Sequence, residues 1–401
     1  MTIFFSVGEP SGDLHGANLI RSIRSRRPDA RFVGYAGPRM AAAGCELHAD
    51  LTKLAVMWFF HAILNLHKFF ALKWRAERYF RETPPDAVVL IDYPGFNWHI
   101  ARVAKKNGIP VYYYGAPQLW AWAGWRIKKM RRDVDHVLCK LPFEEAWYRE
   151  RGCNATYIGH PYFDELRGQR LDGAFVAARA QQEPPLVTIL PGSRSQELDW
   201  NLTGLLDAAR EVARRRPDTR FAIAAFREDH AQRARELALK NQLSIEVHSG
   251  KTAELIAAAA CCMAVSGSVS LELLFHAKPA VILYRISRVG FFVQRQLRRV
   301  RYITLVNLLT AKELFPKEVG VYDPANPEDA HVLMPEYLTC EDRSPQIAEH
   351  VVGWLDDQAS RAALTARLEA LRDAVAAGGA SDTGAEYLLR TLGAPATAAA
   401  A

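Results

Sequence analysis

Long uninterrupted apolar runs are missing from this 401-residue chain, and so are the common metal and redox signatures. It has only six cysteines, at 45, 139, 153, 261, 262 and 340. No two form a C-x-x-C pair, which argues against a zinc ribbon or a disulfide framework and fits a reducing compartment. The twelve histidines never fall into HExxH or HxxxH spacing, so no metal site is expected. The N-terminus, MTIFFSVGEP, lacks a basic segment followed by a long apolar core, so no secretory signal is expected. Acidic residues fall short of basic ones, 44 against 51. The excess suits a phosphate ligand or an anionic membrane face, and is too diffuse for a nucleic-acid-binding tail. At 49% hydrophobic and 24% charged residues, the chain is not intrinsically disordered.

The most apolar stretch, LAVMWFFHAILNLHKFFAL at 54–72, approaches the length of a spanning helix but is interrupted. His61, Asn65 and Lys68 fall on one helical stripe and Phe59, Ile63, Leu66 and Phe70 on the opposing one. This pattern predicts an amphipathic helix. It either packs on a core or presents Met57, Trp58, Phe59, Ile63 and Phe70 to a bilayer or acyl chains.

The chain alternates strand, glycine-containing loop and helix, which predicts parallel, doubly wound sheets. DAVVLID is apolar throughout, as expected of a strand covered on both faces. The pattern breaks in the polar segment 164–185 and restarts at LVTILPGSR. The fold class expected is therefore α/β, with two similar open-sheet domains facing a cleft. The first covers residues 1–170 and the second 186–344. Helices from 345 to 401 would cross back toward the first domain and end in a frayed tail.

Familiar nucleotide motifs are absent. Gly8, Gly12 and Gly16 are not spaced as GxGxxG, Gly250-Lys251-Thr252 has Ile245 where a phosphate loop needs glycine, and Gly267-Ser268-Val269-Ser270 is not GxSxG. Four groups of strand-end loops carry the reading instead. In GEPSGD (8–13), glycines permit close approach, and Ser11 and Asp13 can cap the next helix. In IDYPGFN (91–97), Asp92 ends an apolar strand, and a carboxylate there is the best single candidate for a general base. PQLWAW (117–122) precedes the segment 126–132, in which Arg126, Lys128, Lys129, Arg131 and Arg132 are basic and no residue is acidic. Trp120 and Trp122 there could cover a sugar or lipid, and the cations could meet phosphate. In the second half, Ser193-Arg194 and Ser266-Gly267-Ser268 precede helices whose N–H groups suit a diphosphate, with Glu272 placed for ribose hydroxyls.

Taken in order, GEPSGDLHGA, RFVGYAGPRMAAAGCE, LAVM, IDYPGFN, PQLWAW, LPFE, IGHP, LPGSR, SGSVSLE and VNLL resemble the lipid-A-disaccharide synthase family, glycosyltransferases of the GT-B fold with two Rossmann-like domains. The resemblance implies an inverting, metal-independent transfer, with no cofactor. The donor is UDP-2,3-diacylglucosamine, the acceptor the 6-hydroxyl of 2,3-diacylglucosamine 1-phosphate, and UDP is released. It implies Asp92 as base, with Ser11 and Glu9 near the reacting centre. It places UDP at Ser193, Arg194, Ser266, Gly267, Ser268, Glu272 and Asn307. It also implies a cytoplasmic protein peripherally bound to the inner membrane, and leaves a homodimer open.

Several family positions differ. Gly95 replaces an aspartate, Trp58 a glycine, His61 an acid, Ala123 an arginine and Thr339 a glutamine, and an apparent insertion fills 316–334. These differences point at the acceptor site. They keep open another acylated-sugar acceptor, a UDP-sugar 2-epimerase, and a non-catalytic sugar-nucleotide binder. The basic excess is also localised. Residues 65–151 hold 16 basic and 9 acidic side chains, and residues 285–301 hold six arginines and no acid. Both stretches are expected to face anionic lipid or phosphorylated substrate.

Overall fold

The computed structural model describes residues 1–55 and 66–393. They form two compact α/β units. One is Met1–Arg167 with the chain from Ala377 onward, and the other is Gly168–Ala376.

The first unit is built on strands β1 (Thr2–Val7), β2 (Arg31–Ala36), β3 (Cys45–Asp50), β4 (Ala87–Ile91), β5 (Val111–Tyr114), β6 (His136–Cys139) and β7 (Ala155–Tyr157). Their order is β3-β2-β1-β4-β5-β6-β7, with every pairing parallel. The second unit repeats the scheme with β8 (Leu186–Leu190), β9 (Arg220–Ala225), β10 (Ile245–Ser249), β11 (Cys261–Val265), β12 (Ala280–Arg285) and β13 (Glu336–Thr339), in the order β10-β9-β8-β11-β12-β13. The central strands β4, β8 and β11 are buried along their whole length, as their apolar sequences require.

Strand order reverses between β1 and β4 in one sheet and between β8 and β11 in the other. At such a reversal the chain departs to opposite sides, and a crevice opens at the carboxyl ends of the two strands. The loops after β1, β4, β8 and β11 are GEPSGD, DYPGFN, PGSR and SGS. Four of the motif loops found by reading the sequence thus flank the two switch points.

Some expectations change. The amphipathic helix of 54–72 is described only in part, as helices Leu51–Ala55 and Leu66–Glu82. Residues Met57, Trp58, Phe59, His61 and Ile63 lie outside the described residues. Helix Leu66–Glu82 runs on ten residues beyond that stretch. Strands β3, β7 and β13 were not anticipated. β3 is polar, lies at the sheet edge, and slips register beside Gly34 and Tyr35, so it lacks the apolar alternation that signals a half-buried strand.

The C-terminal crossing also comes later than residue 345. Helix Ser344–Asp356 belongs to the second unit, where Ile347, Val351 and Trp354 enter the core. Only the last helix, Ala380–Gly393, belongs to the first. It packs on helix Pro10–Arg26 and contributes Ala385, Tyr387 and Leu388 to the first core. Its N-terminus is capped from a distant part of the chain. The Asp164 carboxylate accepts from the backbone N–H of Gly379 (2.6 Å), Ala380 (3.2 Å) and Ser381 (2.8 Å). These are donors a helix start leaves unpaired. Arg26 adds ion pairs of 2.8 Å to Asp382 and to Glu386. Asp164→Ala should therefore cost the first unit about 1–2 kcal/mol. The check is a lowered urea midpoint for that unit, with the transition of the second unit unmoved.

Candidate functional site

The crevice of the first sheet is organised by Asn97. Helix Pro94–Lys106 starts directly after β4 and brings this side chain, fully buried, between β4 and β1. Its amide donates to the backbone carbonyls of Ser6 (3.1 Å), Ile91 (3.2 Å) and Asp92 (2.8 Å), and its oxygen accepts from Ser6 Oγ (2.6 Å). Tyr113, from β5, donates its hydroxyl to the same Asp92 carbonyl at 2.7 Å. The turn held in this way is strained. Asp92 and Tyr93 both have left-handed backbones, with φ of 49° and 41°. Each such residue costs on the order of 1–3 kcal/mol and persists only where its surroundings impose it. Here the imposed conformation swings the Asp92 side chain away from the strand and toward the β1 loop. A β-carbon on Gly12 would lie only 3.0 Å from Asp92 Oδ2, so the glycine is needed for this close approach.

The Asp92 carboxylate is only partly buried and has a cationic neighbour. Its side chain is 23% exposed, and the Lys140 ammonium stands 3.6 Å from Oδ1. Lys140 follows β6, and its stem crosses the α-carbon of Gly115, where a β-carbon would come within 3.1 Å. The backbone beneath Lys140 is fixed by Glu144 of the LPFE segment. This buried carboxylate accepts from the N–H of Lys140 (2.9 Å) and Leu141 (3.0 Å) and from the Trp120 indole (2.9 Å). Burial raises its pKa, an effect these donors and Lys140 oppose. His15 and His160 complete the neighbourhood, with ring centroids 6.5 Å apart and edge to face. His15 is buried, and its Nδ1 has no hydrogen-bond partner. Sequence reasoning missed Lys140, His15 and His160. The histidines lie within the GEPSGDLHGA and IGHP segments, which were read as whole motifs rather than residue by residue.

Other expected residues sort as follows. Ser11 is exposed, and Glu9 occupies the N-cap position of helix Pro10–Arg26 without a side-chain cap bond. Asp13 does not cap that helix. It accepts from the N–H of Gly37, Arg39 and Met40, at the start of helix Pro38–Ala42. Trp120 is core, 2% exposed and bonded to Glu144, so it covers neither sugar nor lipid. Ala123 is fully buried, and a side chain at Gly95 would meet open space.

An exposed basic and aromatic surface does form. Helix Pro94–Lys106 packs against both helix Leu66–Glu82 and helix Ile127–Asp133. Lys73, Lys129 and Arg102, one from each helix, all act on His99 and, after burial, lower its pKa. Phe70, Trp74, Trp122 and Trp125 are exposed, and Arg126 lies over the Trp122 ring at 5.1 Å. Lys128, Lys129, Arg131 and Arg132 are exposed, although Arg132 pairs with Asp133 at 2.6 Å. Among the described residues no helix is long and apolar enough to cross a membrane.

In the second unit, Gly192 (φ 102°) turns the chain after β8, and Ser193 and Arg194 are exposed at the start of helix Ser195–Arg215. Arg194 pairs with Glu197 at 3.2 Å. After β11, Gly267 and Ser268 are exposed and Ser266 donates to the Ile303 carbonyl at 3.3 Å, while Glu272 is buried in the following short helix. Asn307 is a correction. It is fully buried and its amide is engaged in binding Met334 and Glu336, with Met334 N–H donating back to its oxygen at 3.1 Å. Its role is to hold the 303–304 loop together with Glu336, which accepts from the N–H of Ile303 (2.7 Å) and Thr304 (3.0 Å). Thr339 is likewise turned inward, accepting from the N–H of Glu341 at 2.9 Å. The insertion is anchored by Asp329, which receives Tyr302 OH (2.6 Å), Arg301 (2.8 Å) and the N–H of Asp323 (2.9 Å). No cluster of three or more His, Cys, Asp or Glu among the described residues is placed to hold a metal ion.

The buried histidine has a consequence for acid stability. Burial first, and Lys140 second, lower the His15 pKa from 6.5 to about 4, against the pull of Asp92 and Asp164. Its neutral form therefore stabilises the fold fully above pH 6.5, and that contribution is lost as pH falls through about 4. We expect a loss of up to about 3 kcal/mol across this window, smaller in His15→Gln. Urea titrations of both proteins at stepped pH will measure it.

Comparison with known proteins agrees with this architecture. Residues 3–352 match the family model described as lipid-A-disaccharide synthetase. A lipid-A-disaccharide synthase of Syntrophus aciditrophicus is 32% identical over 96% of this chain and 97% of its own length. That of Thiobacillus denitrificans is 32% identical over 91% and 93%. Among solved structures, UDP-GlcNAc 2-epimerase from Neisseria meningitidis bound to UDP-GlcNAc superposes with a TM-score of 0.64 at 11% identity, covering 97% of this chain and all of that one. The calicheamicin glycosyltransferase CalG4 does so at 0.59 and 15%, covering 99% of each. At that identity these two structures speak for the fold alone, which is GT-B, and it is the sequence relatives that decide the activity. This chain belongs to the lipid-A-disaccharide synthase family and is a glycosyltransferase of lipid A biosynthesis.

Proposed function

We propose that the chain transfers 2,3-diacylglucosamine from its UDP derivative to the 6-hydroxyl of 2,3-diacylglucosamine 1-phosphate, with Asp92 as the base. The observation that carries this reading is the Asp92 turn. A strained backbone, fixed by Asn97 and Tyr113, holds one carboxylate at the switch point beside a lysine. In the step, Asp92 takes the proton of the acceptor hydroxyl as that oxygen bonds to the anomeric carbon. The bond from that carbon to the UDP oxygen breaks, UDP leaves with the bonding pair, and the configuration inverts.

In this reading the second unit binds UDP. The exposed N–H groups around 193–195 and 267–268, with Arg194, meet the diphosphate, and Glu272 meets the ribose. No metal ion or cofactor takes part. Asn307, Glu336 and Thr339 act behind this surface by shaping the loops. Ser11 and Glu9 lie on the loop nearest Asp92. The exposed aromatic and basic residues of the first unit, Phe70, Trp122, Lys128, Lys129, Arg131 and Arg132, with the half-buried Arg126, meet the acyl chains and the anionic cytoplasmic face of the inner membrane, giving peripheral association. Met57, Trp58, Phe59, His61 and Ile63 are assigned to the same acceptor surface by sequence alone.

Lys140 has a definite part in this scheme. Its ammonium, 3.6 Å from Oδ1, aims the Asp92 carboxylate. Lys140→Met should lower kcat/KM by about tenfold or more, and Lys140→Arg should restore it. An unchanged kcat/KM in Lys140→Met refutes the assignment.

Asp92→Asn should lower kcat by about 10²–10⁴-fold while leaving UDP affinity, measured by calorimetry, as in the parent protein. Mass spectrometry of the lipid product identifies the acceptor. An Asp92→Asn protein that keeps full transfer activity would refute the base assignment.

A further inference from the structure

The second unit carries a helix whose apolar face is turned outward. Helix Arg288–Leu297 follows β12, capped by Ser287 Oγ accepting from the Gly290 N–H at 3.0 Å, and none of its residues is buried. Val289 is 74% exposed, Phe292 64%, Val293 47% and Leu297 42%. At about 100° per residue these four span an arc of about 140°, with Gln296 inside it. Phe291 and Gln294, on the other side, are half-buried and make the attachment to the unit. An ordinary surface helix has the reverse arrangement, with its apolar stripe facing the core.

Charge says what covers this face. Arg288 and Arg295 stand at the edge of the arc and Arg299 just beyond the helix. All three are exposed, and none makes an ion pair with a described residue. By contrast, Arg301 is committed to Glu328 and Asp329, and Arg298 to the Gly320 carbonyl. Unpaired arginines around an outward apolar stripe, with no acid from 285 to 301, complement an anionic lipid surface. The stripe enters the acyl boundary while the guanidinium groups remain among the headgroups. A second copy of this chain would need an acidic counterpart to such a rim, and the segment itself supplies none.

We propose that helix Arg288–Leu297 is a membrane-docking element of the second unit, separate from the aromatic and basic surface of the first, and that it inserts Val289, Phe292, Val293 and Leu297 into an anionic bilayer. It deepens the peripheral association proposed above by giving the donor-binding unit its own anchor. It does not depend on which acceptor is used.

The test uses the full chain and vesicles of equimolar phosphatidylcholine and phosphatidylglycerol, without substrate. Phe292→Ser with Val293→Ser should weaken vesicle binding about tenfold, and more so when combined with Phe70→Ser and Trp74→Ser on the first unit. High salt should weaken binding of the parent protein as well. A bimane probe on Phe292→Cys should shift to the blue on adding these vesicles. This readout stands even if the serine variant is poorly folded. No shift of the probe overturns the proposal. So does a serine variant that binds vesicles as the parent does while its sedimentation changes from dimer to monomer, since a second copy then covers the face. Because binding is read without substrate, failure here leaves the transfer reaction intact. Failure of transfer likewise leaves the docking result standing.

Discussion

The first unit depends on one buried amide. Asn97 reaches across the point where strand order reverses and ties the ends of β1 and β4 together through Ser6, Ile91 and Asp92. Carbonyls at the end of a parallel strand have no further ladder partner, and leaving them buried and unpaired would cost about 1–3 kcal/mol each. The same amide that satisfies them forces the next two residues into the left-handed region, and so sets where Asp92 points. Stability and turn geometry thus share one side chain, with the Tyr113 hydroxyl reinforcing the Asp92 carbonyl. An apolar residue of similar size at 97 could fill the volume but would release both the carbonyls and the turn.

The second unit solves the same problem differently. The Ile303–Thr304 loop, whose Ile303 carbonyl accepts from Ser266 Oγ at the end of β11, is held by a carboxylate, Glu336, which gathers the N–H groups of Ile303 and Thr304 and the amide of Asn307. Burial lifts this carboxyl to about 7, although all three donors favour its charged form. One sheet therefore positions the Asp92 turn with a neutral amide. The other positions the 303–304 loop with a group close to changing charge.

The sequence showed the architecture well because parallel strands covered on both faces must be almost wholly apolar, as AVVLI is and LVTIL is but for Thr188. It showed the loops because glycine, proline and hydroxyl residues cluster where such strands end. Polar β3 and the short β7 and β13 were hidden, since edge pairing leaves no periodic mark. Individual roles inside motifs were less visible. Trp120 and Asn307 looked like ligand contacts, yet both are consumed by buried hydrogen bonds to Glu144 and Glu336, residues 24 and 29 positions away. Lys140 reaches Asp92 across 48 positions of sequence, and no local pattern encodes a pairing at that distance.

The first unit is discontinuous in the chain, and this shapes how the protein is made. Its sheet is complete once Tyr157 has been synthesised, but part of the core beneath that sheet arrives only with Ala385, Tyr387 and Leu388. The second unit, by contrast, is one continuous segment, Gly168–Ala376. On the ribosome, where domains form as their residues emerge, the unit that starts second is the first able to finish. The first-made sheet must wait with an open apolar groove and an unused Asp164 carboxylate until helix Ala380–Gly393 has emerged. Helix Ala380–Gly393 thus decides when the core of the first unit closes.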